Sequence, residues 1–60
     1  MKHNFAVCFM DPYKGIQVEY FVHFESAFWW YNQKAMWRRT KLFAINGEQK
    51  VLLWDSRERP

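Results

Sequence analysis

The 60-residue chain contains one cysteine, two glycines and two prolines, and it has no acidic residue between Ser26 and Gly47. A single cysteine excludes an internal disulfide and with it a secreted fold that depends on covalent staples. No apolar run approaches the ~18 residues of a membrane-spanning helix, and the amino terminus carries no stretch of signal-peptide length. A cytoplasmic protein is therefore expected. Sixty residues make one domain, which buries only about 60% of the surface of its unfolded chain and is marginally stable.

What the chain does have is apolar mass. Half its residues are hydrophobic and 22% are aromatic, which argues against disorder. It carries 25 large apolar side chains of the Phe, Trp, Tyr, Met, Ile, Leu and Val types. One sheet covered on one face by one helix encloses roughly half of them. The rest are expected at the surface, where contiguous apolar area marks a partner. The net charge of +3 is unevenly placed, with Lys34, Arg38, Arg39 and Lys41 all inside the acid-free stretch.

The absence of Pro and Gly from Ser26 to Arg39 predicts a helix over 26–39. Ser26 or Glu25 is placed to cap it, and Lys34, Arg38 and Arg39 complement the dipole at its far end. At about 100° per residue, Trp29, Trp30, Met36 and Trp37 share one broad arc, which is the width of a core-facing stripe. Phe28, Tyr31 and Ala35 form a narrower second arc beside Lys34 and Arg38, expected to face outward.

Residues 4–10 and 16–24 read as strands by alternation, joined by Asp11-Pro12-Tyr13-Lys14-Gly15. A four-residue loop built on a type I turn sets Phe9 opposite Val18, Val7 opposite Tyr20 and Phe5 opposite Val22. After the helix, residues 41–45 and 49–54 flank Asn46-Gly47, a strong hairpin signal. A two-residue turn sets Leu42 opposite Val51 and Ala44 opposite Gln49, while Phe43, Ile45, Leu52 and Trp54 point the other way. A four-residue turn regroups these pairs. Residues 55–60 are charged and expected to fray. The predicted fold is α+β, in the order β-β-α-β-β, with a four-stranded antiparallel sheet and one helix on one face.

The chain offers little for catalysis. No serine, cysteine or lysine has a base and an orienting group at a spacing the hairpins bring together, so the chain is not expected to be an enzyme. His3 and His23 fall on opposite faces of the first hairpin, and Cys8 lies roughly 13 Å along the ladder from His23. No metal site and no cofactor follow from such a set.

Two binding readings remain. The first is a small protein-interaction module, expected to dimerise, with Phe28 and Tyr31 on the helix rimmed by Lys34 and Arg38 as one patch. Met10, Phe21, Phe43, Ile45, Leu52 and Trp54 on the outer sheet face form the other. In size and style such a chain is similar to accessory proteins of bacteriophages and mobile elements that block a host enzyme. The second reading is a nucleic-acid module in which Lys34, Arg38, Arg39 and Lys41 neutralise phosphates. Phe21-Val22-His23-Phe24 resembles the tail of the RNA-recognition submotif. However, Glu19 and Tyr20 stand where that motif wants small residues, and the order of elements differs. A subunit of an obligate assembly is the third reading.

Overall fold

The computed structural model describes residues 3–58. It shows strands β1 (Phe5–Asp11) and β2 (Gly15–Phe21), helix α1 (Phe24–Ala35), then strands β3 (Thr40–Asn46) and β4 (Gln49–Asp55). A 3₁₀ turn over Ser56–Glu58 follows. The four strands form one antiparallel sheet in the order β2-β1-β3-β4. The α+β architecture expected from the sequence is therefore the one observed. Because β1 pairs antiparallel with both β2 and β3, those two strands run parallel with β1 between them. The helix connecting them must cross the sheet, and this places it over β1 and β3.

The first hairpin differs from expectation by one residue. Asp11 pairs with Gly15, Phe9 with Gln17, Val7 with Glu19 and Phe5 with Phe21. The Asp11 carboxylate accepts from the amides of Tyr13 (2.8 Å) and Lys14 (3.0 Å). This Asx-type clasp leaves only Pro12, Tyr13 and Lys14 in the turn, and Gly15 joins the ladder at φ 81°. A one-residue slip turns the whole strand over. Gln17, Glu19 and Phe21 therefore share the helix side with Val7 and Phe9, and Ile16, Val18 and Tyr20 go to the opposite face.

The second hairpin departs twice. Its turn residues are Gly47 and Glu48, since Asn46 pairs with Gln49. Gly47 takes φ 64° while Glu48 does not have a positive φ, the pattern of a II′ turn rather than the I′ turn that Asn-Gly suggests. Farther along, Phe43 pairs with Leu52 but Leu42 pairs with Trp54, so Leu53 is the extra residue of a β-bulge. The bulge rotates Trp54 out of the row of Leu52 and onto the helix side.

Helix α1 begins earlier and ends earlier than 26–39. His23, at φ −104° and ψ 138°, is the N-cap and makes no side-chain capping bond; Ser26 and Glu25 lie inside the first turn. The end tightens, with Trp37 and Arg38 amides both bonding the Lys34 carbonyl (3.1 and 2.8 Å). The chain then enters β3 at Thr40, a buried polar residue whose hydroxyl donates to the Arg38 carbonyl at 3.0 Å. Its amide donates to Ser56 Oγ at 2.8 Å. Ser56 thus belongs to the fold, not to a frayed tail; residues 59 and 60 lie outside the described residues.

The core is small: Val7, Phe9, Ala27, Tyr31 and Leu42, with Phe5, Phe21, Phe28, Trp30 and Ala35 packed around them. The helix therefore presents the arc expected to face outward. Tyr31 is 4% exposed, whereas Trp29, Met36 and Trp37 are 59%, 66% and 80% exposed. Small Ala27 and Ala35 lie at helical spacing with Tyr31 and let the helix approach the sheet closely, which a stripe of tryptophans does not.

Candidate protein-docking face

Only one side of the sheet is covered by the helix. On the other, cross-strand neighbours form rows perpendicular to the strands. Ile16 and Met10 make a first row on β2 and β1. Val18 and Cys8 continue on the second row into Lys41 and Asp55. Tyr20, Ala6, Phe43 and Leu52 make a third row across all four strands, and Ile45 with Lys50 closes the far end. Ala6 is 1% exposed because larger Tyr20 and Phe43 stand on either side of it. The others stay open, Ile16 at 65%, Tyr20 at 49%, Met10 at 46%, Leu52 at 43% and Val18 at 40%.

This face is more apolar than the sequence reading supposed, because the slip of β2 adds Ile16, Val18 and Tyr20 to it. Its charges gather on one side. Lys41 and Lys50 are exposed on β3 and β4, Arg39 is exposed at the entry to β3, and Asp55 is half-buried opposite Lys41. The Lys50 ammonium also lies 6.0 Å from the Tyr20 ring. A shallow groove beside Cys8, Met10, Ile16, Lys41 and Asp55 indents this surface.

The predicted partner residues are divided by the fold. Phe43 is on the open face with Met10, Ile45 and Leu52. Phe21 and Trp54 are not: Phe21 packs on Trp30 (6.2 Å between ring centroids) and Trp54 on Phe28 (5.2 Å), both on the helix side. Phe28 is half-buried between Phe24, Tyr31 and Trp54, and Tyr31 is interior, so neither offers an outward helix patch. Trp54, Phe24 and Val51 remain partly exposed along the β4 margin of the helix layer.

The four cations do not form one stripe. The Lys34 ammonium sits 4.8 Å from the rings of both Phe9 and Trp30. Arg38 pairs with Asp11 at 3.9 Å, the one ion pair among the described residues. Lys41 belongs to the opposite sheet face and Arg39 to the exposed turn before it. His23 occupies the N-cap position of the helix, and the His3 ring lies 5.7 Å from that of Tyr20, tilted by 44°. No three His, Cys, Asp or Glu side chains gather among the described residues. No described helix is long and apolar enough to cross a membrane. No protein-family model matches the chain, and no curated protein or solved structure is significantly similar to it.

The Asp11 clasp that sets the register of the first hairpin carries a pH signature. The Tyr13 and Lys14 amides hold its carboxyl below the ordinary aspartate value of 3.8; desolvation opposes them, and the charges of Arg38 and Lys14 add to the lowering. A carboxyl with a lower pKa in the folded state stabilises fully above its unfolded pKa, and that contribution is lost as pH falls through the lowered folded value. The melting temperature of Asp11→Asn, followed from neutral pH down through pH 3.8, should therefore fall less steeply on the acid side than that of the wild type. Parallel acid limbs would show that the clasp is not coupled to folding.

Proposed function

We propose that the chain is a protein-interaction module whose open sheet face docks onto a protein partner with an apolar centre and an acidic rim. The observation that carries this reading is the uncovered face itself, with Ile16, Met10, Val18, Tyr20, Phe43 and Leu52 contiguous across all four strands. The accessible surface of 4812 Å² is above the ~4,250 Å² typical of a folded 7.5 kDa monomer. The rim sets the partner's charge: Arg39, Lys41 and Lys50 are basic, and Asp55, the acid on that side, already faces Lys41.

The test is differential capture from the cell of origin with the purified, tagged chain. A protein retained through this face should be lost, by at least about tenfold, on Leu52→Lys, which places a charge at the centre of the contact. It should be kept on Trp29→Lys, since Trp29 is exposed on the helix, on the covered side of the sheet. Capture that survives Leu52→Lys, or disappears with Trp29→Lys, overturns the reading, as does the absence of any protein that distinguishes the two.

A further inference from the structure

The two edges of the sheet are not alike. Edge strands carry unpaired amides and carbonyls, and monomeric proteins blunt them with bulges, lysines or prolines. β4 has such devices: a bulge at Leu53, a lysine at position 50 and a flanking 3₁₀ turn. β2 has none. Its sequence Gly15-Ile16-Gln17-Val18-Glu19-Tyr20-Phe21 contains no Pro, Lys or Arg, and its ladder with β1 runs unbroken from Asp11↔Gly15 to Phe5↔Phe21. On its helix side Glu19 is exposed and Gln17 half-buried, while Phe21 packs on the helix against Trp30.

We propose that two copies of the chain pair antiparallel through β2, with Val18 on the two-fold axis. The pairing joins the two sheets into one of eight strands with both helices on the same side. The strand is self-complementary in this register alone. Centring on Val18 pairs all seven residues: Val18 with its copy, Ile16 with Tyr20, Gln17 with Glu19 and Gly15 with Phe21. Centring on Glu19 sets two carboxylates face to face, and centring on Gln17 leaves Tyr20 and Phe21 beyond the paired segment. Any odd offset brings the open face of one copy beside the helix side of the other, setting Val18 against the copy's Gln17 or Glu19 in the two nearest registers.

On the open face the Val18 register gives Ile16–Tyr20 pairs on both sides of a Val18–Val18 contact, the β-branched and aromatic combinations that stabilise antiparallel ladders. On the helix side, Gln17 donates to the copy's Glu19. At present the Gln17 amide donates to the carbonyls of Lys14 and Ile16 at 3.2 Å each; on pairing, the Ile16 carbonyl accepts from the copy's Tyr20 amide and water takes over at Lys14, at small cost. Lys41 and Asp55 lie on the strands away from β2, while the Lys50 side chain reaches over the face and sets its ammonium 6.0 Å from the Tyr20 ring. Joining the β2 edges therefore merges the two apolar areas along Ile16 and Val18.

This inference concerns β2 alone and is separable from the docking reading, because Gln17 lies on the helix side and Leu52 lies on the far edge strand. Sedimentation equilibrium of the purified chain at micromolar to high micromolar concentration should show a monomer–dimer equilibrium. Gln17→Glu, which creates two like-charge pairs, should weaken the dimer roughly tenfold. Gln17→Lys, which creates two ion pairs, should strengthen it and make it salt-sensitive. Leu52→Lys should leave the dimer intact. Far-UV circular dichroism of each variant checks that it is folded, and the half-buried position of residue 17 at the sheet edge makes at least one of the opposite charge changes readable. A monomer throughout the range overturns the inference. So does a dimer indifferent to both changes at position 17, the behaviour of two sheets stacked by their open faces.

Discussion

Replacing Tyr31 with alanine should cost about 3–4 kcal/mol, whereas replacing Trp37, a larger aromatic on the same stretch of chain, should change stability by no more than about 0.5 kcal/mol. Tyr31 is 4% exposed and stacks on Phe28 with 6.3 Å between ring centroids, beneath a helix that seats against β1 and β3. Its removal leaves a void lined by Val7, Phe9, Ala27 and Leu42, which the close-packed interior cannot refill. Trp37 is 80% exposed beyond the end of α1, so its loss removes little packing from the folded state. Urea unfolding of the two variants, followed by far-UV circular dichroism so that the loss of a fluorophore does not matter, gives both numbers. If Trp37→Ala were the costly change, the helix would be turned over on the sheet.

That pair of variants also marks where the sequence stopped being legible. The strand–strand–helix–strand–strand order was readable because turn residues punctuate four apolar runs and one Gly- and Pro-free stretch. Phe5, Val7 and Phe9 were correctly placed on a common face, since alternation within one strand needs no partner. What did not follow was anything set by a relation between elements. The helix has two apolar arcs, and ranking them by bulk chose Trp29, Trp30, Met36 and Trp37. Packing chose the arc with Ala27, Tyr31 and Ala35, where two small residues allow close approach and one ring fills the space between β1 and β3. Starting the helix at Ser26 also hid Phe24, which continues that arc by a turn and stacks on Phe28 at 5.5 Å.

The candidate docking face was half legible for a similar reason. Met10, Phe43, Ile45 and Leu52 were assigned to it from pattern alone. Phe21 and Trp54 were assigned to it wrongly, and Ile16, Val18 and Tyr20 were missed, because single-residue events decided their sides. One is the Asp11 clasp that shortens the first turn, and the signal for it was present in Asp-Pro-Tyr-Lys, an aspartate placed to accept from amides two and three residues on. The other is the bulge at Leu53, for which the run Val51-Leu52-Leu53-Trp54 has no alternation to betray the slip.

Leu42→Ala should come close to unfolding the protein. Leu42 is fully buried on central strand β3, between Val7 on β1 and Trp54 on β4. Truncating such a leucine costs about 3 kcal/mol. A 60-residue domain has roughly 3–9 kcal/mol in all, so the variant retains little or nothing at the low end of that range. The melting temperature should drop by about 15 °C or more. Here the edge pairing inferred for β2 makes a second demand. If folded copies associate and unfolded ones do not, mass action stabilises the fold, and the midpoint rises with protein concentration. The effect is easiest to see when the monomer is marginal, so Leu42→Ala should melt at a clearly higher temperature at high micromolar than at low micromolar concentration. Gln17→Glu in the same background should flatten that dependence. A midpoint independent of concentration in Leu42→Ala would confine the fold's stability to the single chain and leave the bare β2 edge without its proposed occupant.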